Sequence, residues 1–379
     1  MTGSTKHEYI TMIPISRPFI GAEERAAVNE VLDSGMLVQG PRVAALEALF
    51  CEKTGARHAI AVCNGTAALH TALLAHGIGP GDEVITTPFT FMASVNAILF
   101  VGATPRFVDI LPCCFNLDPA QIEAVITPRT RAILPVHLYG FPSDMRAIQA
   151  IADRHGLAVI QDAAQAIGAT YRGQPLGALA TACYSLYATK NVHSAEGGMV
   201  TTNDDAVAER CRLLRAHGSP RRYYHDVLGY NFRLSDLHAA IAIPQMQRLD
   251  DIIARRRANA AFLTDHIRHP AIVTPDLARL CGRRGEGACT ASGHVWHQYV
   301  VRVLGNRDHA VERLAQAGVG SAVFYPLPAH RQKHIIERGL GQVTLPVAEQ
   351  AAREVLALPV HTALGEDELR TIAAAVNAL

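Results

Sequence analysis

A chain of 379 residues suggests two domains, or one large domain with an appendage. Hydrophobic residues at 49% and charged residues at 18% exclude disorder, and 35 basic against 34 acidic side chains, net +1, leave no electrostatic footprint for nucleic acid. No apolar run reaches the ~18 residues of a membrane helix, and the polar start Met1–Tyr9 has no signal-peptide core. Eight scattered cysteines form no C-x-x-C pair, and eighteen histidines show no H-E-x-x-H spacing. These features point away from a metal site and toward free thiols in a reducing cytoplasm. The basic runs Arg221-Arg222 and Arg255-Arg256-Arg257 read as solvated faces or local anion contacts.

In chain order, His58–Cys63 reads as a strand, followed by a helix from about Thr66. Glu83–Thr87 is the next strand, ended by Pro88, and a helix starts near Phe91. Pro105–Asp109 is a strand and Pro119–Val125 a helix. Then come the strand Ala132–His137, the helix Ser143–His155 and the strand Ala158–Asp162. Cys183–Tyr187 and Met199–Thr202 are strand-like. This alternation predicts an α/β domain with a largely parallel sheet and right-handed crossovers. A long helix is predicted from Ser235, its N-cap, to about His266, kinked by Pro244. Leu280–Gly293 reads as a glycine-rich loop, and Val295–Leu304, Arg307–Ala317, Val319–Phe324 and Glu366–Asn377 as strand, helix, strand and helix. The expected division is a large domain over 1–255 and a smaller α+β domain over 256–379.

Ligands of open α/β sheets bind beyond the carboxyl ends of the strands, so the residues that follow each strand carry the functional reading. Asn64-Gly65-Thr66-Ala67 opens a helix after the first strand, and free N–H groups there suit a phosphate. Asp162 ends an apolar strand, where a carboxylate needs a cationic partner; the protonated pyridine nitrogen of pyridoxal phosphate is one. Lys190, past Ser185-Leu186-Tyr187-Ala188-Thr189 and before Glu196-Gly197-Gly198, sits where a lysine of lowered pKa can attack a carbonyl. Each has a plain alternative alone: a strand-to-helix turn, a helix N-cap, an exposed turn lysine. Their order is the order in which one cofactor would use them.

Together with Ile15-Ser16-Arg17-Pro18, Gly81-Asp82-Glu83-Val84-Ile85, Gly229-Tyr230-Asn231-Phe232-Arg233-Leu234-Ser235 and Leu358-Pro359-Val360-His361, these residues resemble the DegT/DnrJ/EryC1/StrS family of nucleotide-sugar aminotransferases. The resemblance implies pyridoxal-phosphate fold type I, aspartate aminotransferase-like. Its architecture is a large, mostly parallel seven-stranded sheet with helices on both faces and a smaller C-terminal domain. It implies Lys190 as the Schiff-base lysine, Asp162 on the pyridine nitrogen, Gln165 on the ring hydroxyl and Phe91 stacked on the ring. Thr66, Ala67 and Ser185 would hold the phosphate beside Gly65, and Asn231 would reach it from the neighbouring subunit of a homodimer. Some relatives carry histidine in place of the lysine and act as dehydratases, so Lys190 implies transamination. The implied reaction is ping-pong, from an amino acid donor such as L-glutamate to a keto-sugar on a nucleoside diphosphate. Phe324-Tyr325-Pro326-Leu327-Pro328-Ala329-His330 resembles a segment lining the sugar pocket, so Tyr325 and His330 are candidate substrate contacts. That segment favours amination at carbon 3 over carbon 4.

Three other readings stand beside this one. They are a transaminase acting on a cyclitol or other non-nucleotide ketone, a non-catalytic regulator on the same fold, and a nicotinamide enzyme. The last lacks a G-x-G-x-x-G after the first strand.

Overall fold

The strand-end argument depends on which strands lie side by side, and the computed structural model, which describes residues 12–275 and 292–379, shows this directly. Seven strands form one sheet in the order β1-β9-β8-β5-β4-β2-β3. They are β1 (His58–Val62), β2 (Glu83–Thr86), β3 (Thr104–Phe107), β4 (Thr130–Leu134), β5 (Ala158–Asp162), β8 (Thr181–Ser185) and β9 (Gly198–Thr202). Two short strands, β6 (Thr170–Tyr171) and β7 (Gln174–Pro175), lie outside it. Only β9 runs antiparallel to its neighbours β1 and β8. The other pairs, β2–β3, β2–β4, β4–β5 and β5–β8, are parallel.

The pleat explains the apolar runs. On β1, Ile60 and Val62 pack on one face while Ala59 and Ala61 pack on the other. Helices cover both faces, so strands buried on both sides read as continuous rather than alternating hydrophobic runs. Helices α3 (Gly65–Ala75) and α4 (Met92–Phe100) lie over the first face. Helices α2 (Pro41–Thr54) and α5 (Met145–His155) lie over the second, and α1 (Ala22–Ser34) precedes them in the chain.

Several elements differ from the sequence expectation. Pro119–Val125 is two 3-10 turns, Pro119–Gln121 and Glu123–Val125. Ile122 alone is fully buried there, so no apolar stripe exists to pin an α-helix. The long helix is two: α8 (Asp236–Gln247) and α9 (Leu249–His266). Pro244 sits inside α8, and the break falls one turn later at Arg248, whose N–H is shared between the carbonyls of Pro244 (3.3 Å) and Gln245 (3.2 Å). Val319–Phe324 is no strand. Val319 and Ala322 form isolated bridges to Ile13 and Ala357, and Gly320 lies too close to Ile13 for a side chain. Of Leu280–Gly293, the part before Ser292 lies outside the described residues. Ser292–Gly293, β11, pairs with β6.

Toward the C-terminus, β10 (Ile272–Val273), β12 (Tyr299–Val303) and β13 (Val355–Leu358) form an antiparallel three-stranded sheet. Its core joins Leu263 of α9 to Leu369, Ile372 and Val376 of the helix Glu366–Asn377. No helix among the described residues is long and apolar enough to cross a membrane.

Asp236 ties α8 to α2. Its buried carboxylate accepts the N–H groups of Gly40 (2.9 Å), Arg42 (3.1 Å) and Val43 (2.9 Å), which are the unpaired donors at the start of α2. Asp236→Ala is expected to cost about 3 kcal/mol or more, because hydrogen bonds to a charged group are lost from a buried site. Urea denaturation checks this, with Asp236→Asn recovering part of the loss. A variant with wild-type midpoint and slope would show that the α2 cap carries no stability.

Candidate active site

The carboxyl ends of β1, β5 and β8 open into a cavity of about 700 Å³, a size typical of cofactor and ligand sites. Gly65, Thr66, Phe91, Asp162, Gln165, Ser185, Lys190 and Tyr325, all named from the sequence, line it.

The β1 corner is a glycine-built cup. A side chain on Gly65 would bring its Cβ within 2.8 Å of Ser185 Cβ, so only glycine lets α3 begin against the end of β8. A Cβ on Gly198 would lie 2.3 Å from the Asn64 carbonyl oxygen. Asn64 caps α3 by accepting the Ala67 N–H at 2.8 Å. This changes the reading of Ala67. Its N–H is already taken and it does not line the cavity, so Gly65, Thr66 and Ser185 present the cup.

Asp162 is 5% exposed at the end of β5. Ser94 Oγ donates to its Oδ2 at 2.6 Å, and the Ala164 N–H donates to Oδ1 at 3.1 Å. Burial still pushes its carboxyl above the ordinary range, against the pull of those two bonds and of Lys190. Ser94 escaped the sequence analysis. It is aimed by its place on α4 and by Thr90, whose Oγ1 lies 2.7 Å from its own Oγ.

Lys190 follows β8 in a turn closed by its N–H to the Tyr187 carbonyl at 2.9 Å. Burial lowers its ammonium to about 8, and the charge of Asp162 opposes that fall. A substantial amine fraction is therefore present at mildly alkaline pH. His297, also not foreseen, lines the same cavity. Its Nδ1 lies 3.3 Å from Asn191 Oδ1, and Asn191 is anchored to the Val295 carbonyl at 3.0 Å. Burial, and next the charge of Lys190, hold this imidazole neutral. Nothing in its local sequence separates His297 from the equally buried His294, because its placement comes from β12 returning beside the Lys190 turn.

Gln165 is oriented at both ends. Its Oε1 accepts the Tyr139 N–H at 2.6 Å and its Nε2 faces the Tyr325 hydroxyl at 3.3 Å. Burial, and then the Asp162 charge, raise that hydroxyl's pKa, so it stays a proton donor. Phe91 caps α4 at the rim, 61% exposed and 6.2 Å from the Tyr325 ring, so it is not a core residue.

Two predicted residues are not brought to this cavity. Asn231 is exposed, its chain neighbours Tyr230 and Phe232 stack on each other, and it does not line the cavity of its own chain. His330 is buried and turned inward. The Ala329 N–H bonds the Pro88 carbonyl at 2.7 Å, and His330 Nε2 meets Glu349 Oε1 at 3.1 Å. Of the two, Tyr325 lines the cavity and His330 does not.

The cavity fits pyridoxal phosphate on its own chemistry. A buried acid short of compensating charge faces it, a lysine of lowered pKa borders it, and a glycine-built cup with two hydroxyl side chains lies where a phosphate meets a helix start. Gln298 Oε1, in its wall, has no hydrogen-bond partner among the described residues. Fold and site together define a pyridoxal-phosphate-dependent aminotransferase of fold type I.

Residues 18–377 match the model of the DegT/DnrJ/EryC1/StrS aminotransferase family, and the chain belongs to that family. It is 45% identical over 366 residues, 95% of each chain, to a pleiotropic regulatory protein of Geobacillus stearothermophilus. It is 39% identical over 377 residues, 98% of each chain, to the UDP-N-acetyl-3-dehydro-alpha-D-glucosamine 3-aminotransferase of Acidithiobacillus ferrooxidans. The crystal structure of S. venezuelae DesV in complex with a ketimine intermediate superposes with a TM-score of 0.89 at 39% identity, covering 97% of this chain and 98% of that one. The Streptococcus pneumoniae sugar aminotransferase Spr1654, in its PLP form, gives 0.89 at 27% identity, with 97% and 98% covered.

Because the Lys190 amine titrates near 8, uptake of pyridoxal phosphate by the apoprotein is expected to accelerate with pH. The rate should rise roughly tenfold per unit well below that value and level off above it. Stopped-flow absorbance measures this. A rate independent of pH across the interval would mean that Lys190 does not react as a free amine.

Proposed function

We propose that this enzyme moves an amino group from L-glutamate to the ketone of a nucleotide-activated sugar, by a ping-pong mechanism, as a cytoplasmic homodimer. The observation that carries the reading is the pairing of Lys190, lowered to about 8, with buried Asp162 on the floor of one cavity of about 700 Å³. The full-length likeness to a UDP-sugar 3-aminotransferase supports the substrate class.

When bound, pyridoxal phosphate supplies a carbonyl that exchanges the amino group and a ring that takes up electrons. The chain's residues do the rest. Asp162, steadied by Ser94, would hold negative charge at the ring nitrogen and keep it protonated. Gln165 would donate from Nε2 to the ring hydroxyl, because its Oε1 is occupied by the Tyr139 N–H. Gly65, Thr66 and Ser185 would hold the phosphate, and Phe91 would stack on the ring. Lys190 Nζ would hold the cofactor carbonyl in the resting enzyme and, once released by the incoming amine, would serve as the base that moves the proton in each half-reaction. Tyr325 contacts the sugar. The exposed Asn231 reaches the phosphate of the neighbouring subunit. Residues 1–255 form the cofactor domain and 256–379 the smaller one.

The relative named as a pleiotropic regulatory protein favours a second reading, regulation without turnover. Lys190 and Asp162, both retained at one cavity, support turnover.

The decisive assay supplies L-glutamate and UDP-N-acetyl-3-dehydroglucosamine to the holoenzyme and seeks the aminated sugar by mass spectrometry. Amination of a cyclitol ketone and of no nucleotide sugar would overturn the substrate class, and no amination of either would favour the regulator. Asp162→Asn is expected to retain cofactor and slow both half-reactions by roughly 100-fold or more, the scale of a lost catalytic charge. Unchanged rates would make Asp162 structural only. Heterodimers of Lys190→Ala and Asn231→Ala should regain activity above the sum of the parents, since one hybrid site is intact. No gain in verified heterodimers contradicts a shared site.

A further inference from the structure

The segment leading into β12 is fastened where it passes the cofactor cavity. The Val295 N–H donates to the Gly140 carbonyl at 3.1 Å and the Gln298 N–H to the Tyr139 carbonyl at 3.3 Å. Between them, Arg256 Nη1 of α9 donates to the carbonyls of Trp296 (3.0 Å) and His297 (3.1 Å). With its backbone held in this way, His297 lines the cavity and meets Asn191 Oδ1 through Nδ1 at 3.3 Å. The direction of that bond is fixed. Asn191 Nδ2 donates to the Val295 carbonyl at 3.0 Å, so Oδ1 is the end that faces the ring, and Nδ1 must donate to it. A neutral imidazole carries a single N–H, which leaves Nε2 a bare acceptor. Nε2 has no hydrogen-bond partner among the described residues. The charge that acts most strongly on this ring is that of Lys190, ahead of Arg256 and His294.

Lys190 Nζ is the matching donor. It borders the same cavity on a flexible four-carbon stem and forms no hydrogen bond among the described residues. We propose that His297 is a positioning residue for Lys190: its bare Nε2 accepts a hydrogen bond from Nζ whenever that amine is not attached to the cofactor, and so holds it in the cavity between proton transfers. The inference rests on the reading of Lys190 as the cofactor lysine. The other polar groups of this wall are committed. Asp162 takes Ser94 and the Ala164 N–H, the Tyr325 hydroxyl accepts from Gln165, and Glu196 is exposed. Arg17, His193 and Arg248 border a separate small hollow on the other side of Lys190 and offer the ammonium no negative charge. A neutral acceptor suits the task better than a carboxylate would. A second carboxylate would add to the pull of Asp162 and keep Nζ protonated, whereas an imidazole orients the amine and leaves it a usable base. The proton stays on Nζ throughout, and His297 takes none.

The test is the pH dependence of pyridoxal phosphate uptake by the full chain freed of cofactor, in wild type, His297→Met and His297→Gln. An acceptor stabilises the ammonium, so losing it lowers the pH at which the uptake rate levels off. His297→Met should lower that midpoint by roughly one unit, the worth of one hydrogen bond to a charged group. His297→Gln, which carries an acceptor oxygen near the position of Nε2, should stay close to wild type. Neither side chain reproduces the Nδ1 bond to Asn191, so a role confined to that anchor would move both midpoints alike. Equal midpoints in the two variants, or a wild-type midpoint in His297→Met, would overturn the proposal. A measurement on wild type needs no variant to fold. Spectra of the cofactor-free protein labelled with [15N]histidine should show His297 with an unprotonated Nε2 from roughly pH 6 to 9, its resonance shifting as Lys190 titrates. A protonated Nε2 in that interval contradicts the assignment. If wild type forms no yellow band with pyridoxal phosphate at any pH, the reading of Lys190 itself fails, and this inference with it.

Discussion

A carboxylate at the end of an apolar strand is the constraint around which the site is arranged. Removing a charge from water costs several kcal/mol even after the protein relaxes. Ser94 and the Ala164 N–H each return part of that cost to Asp162, yet its carboxyl remains raised above the ordinary range. The site is therefore built short of one positive charge, at the place where a pyridinium nitrogen fits. The same low-dielectric surroundings lower Lys190 and keep His297 neutral, so one environment prepares the acid to hold a cation and the lysine to act as an amine.

Sheet topology brings these groups together. β5 and β8 are parallel neighbours, so Asp162 and the chain leading to Lys190 leave the sheet at the same edge. β9 inserts between β8 and β1 in the opposite direction, which places its first residue, Gly198, opposite both Val62 and Ser185. The glycine at that crossing leaves space for the Asn64–Gly65 turn. Reversing one strand thus sets backbone, and no side chain, beside the Asn64–Gly65 turn.

The legible part of this arrangement is what strand ends encode locally. β5 and the helix Glu366–Asn377 match the sequence expectation residue for residue, because each has a clear apolar period and a clean boundary. Asp162, Lys190 and Gly65 were readable because polar or glycine residues directly follow apolar runs. What was not readable comes from distant chain segments meeting. Ser94 reaches Asp162 across sixty-eight positions, and Asp236 caps a helix nearly two hundred residues earlier. His297 joins the site only through β12, and His330 is drawn inward by Glu349 from a later helix. The split at Arg248 was half legible: Pro244 announces a disturbance, but the break falls one turn on, where the Arg248 N–H is shared between two carbonyls.

The most direct test of the central claim, that Lys190 and Asp162 hold pyridoxal phosphate for transamination, is the visible spectrum of the purified protein with added cofactor, before and after L-glutamate. The account predicts a yellow band that Lys190→Ala abolishes and that bleaches with glutamate. Absence of the band in wild type at mildly alkaline pH would contradict it.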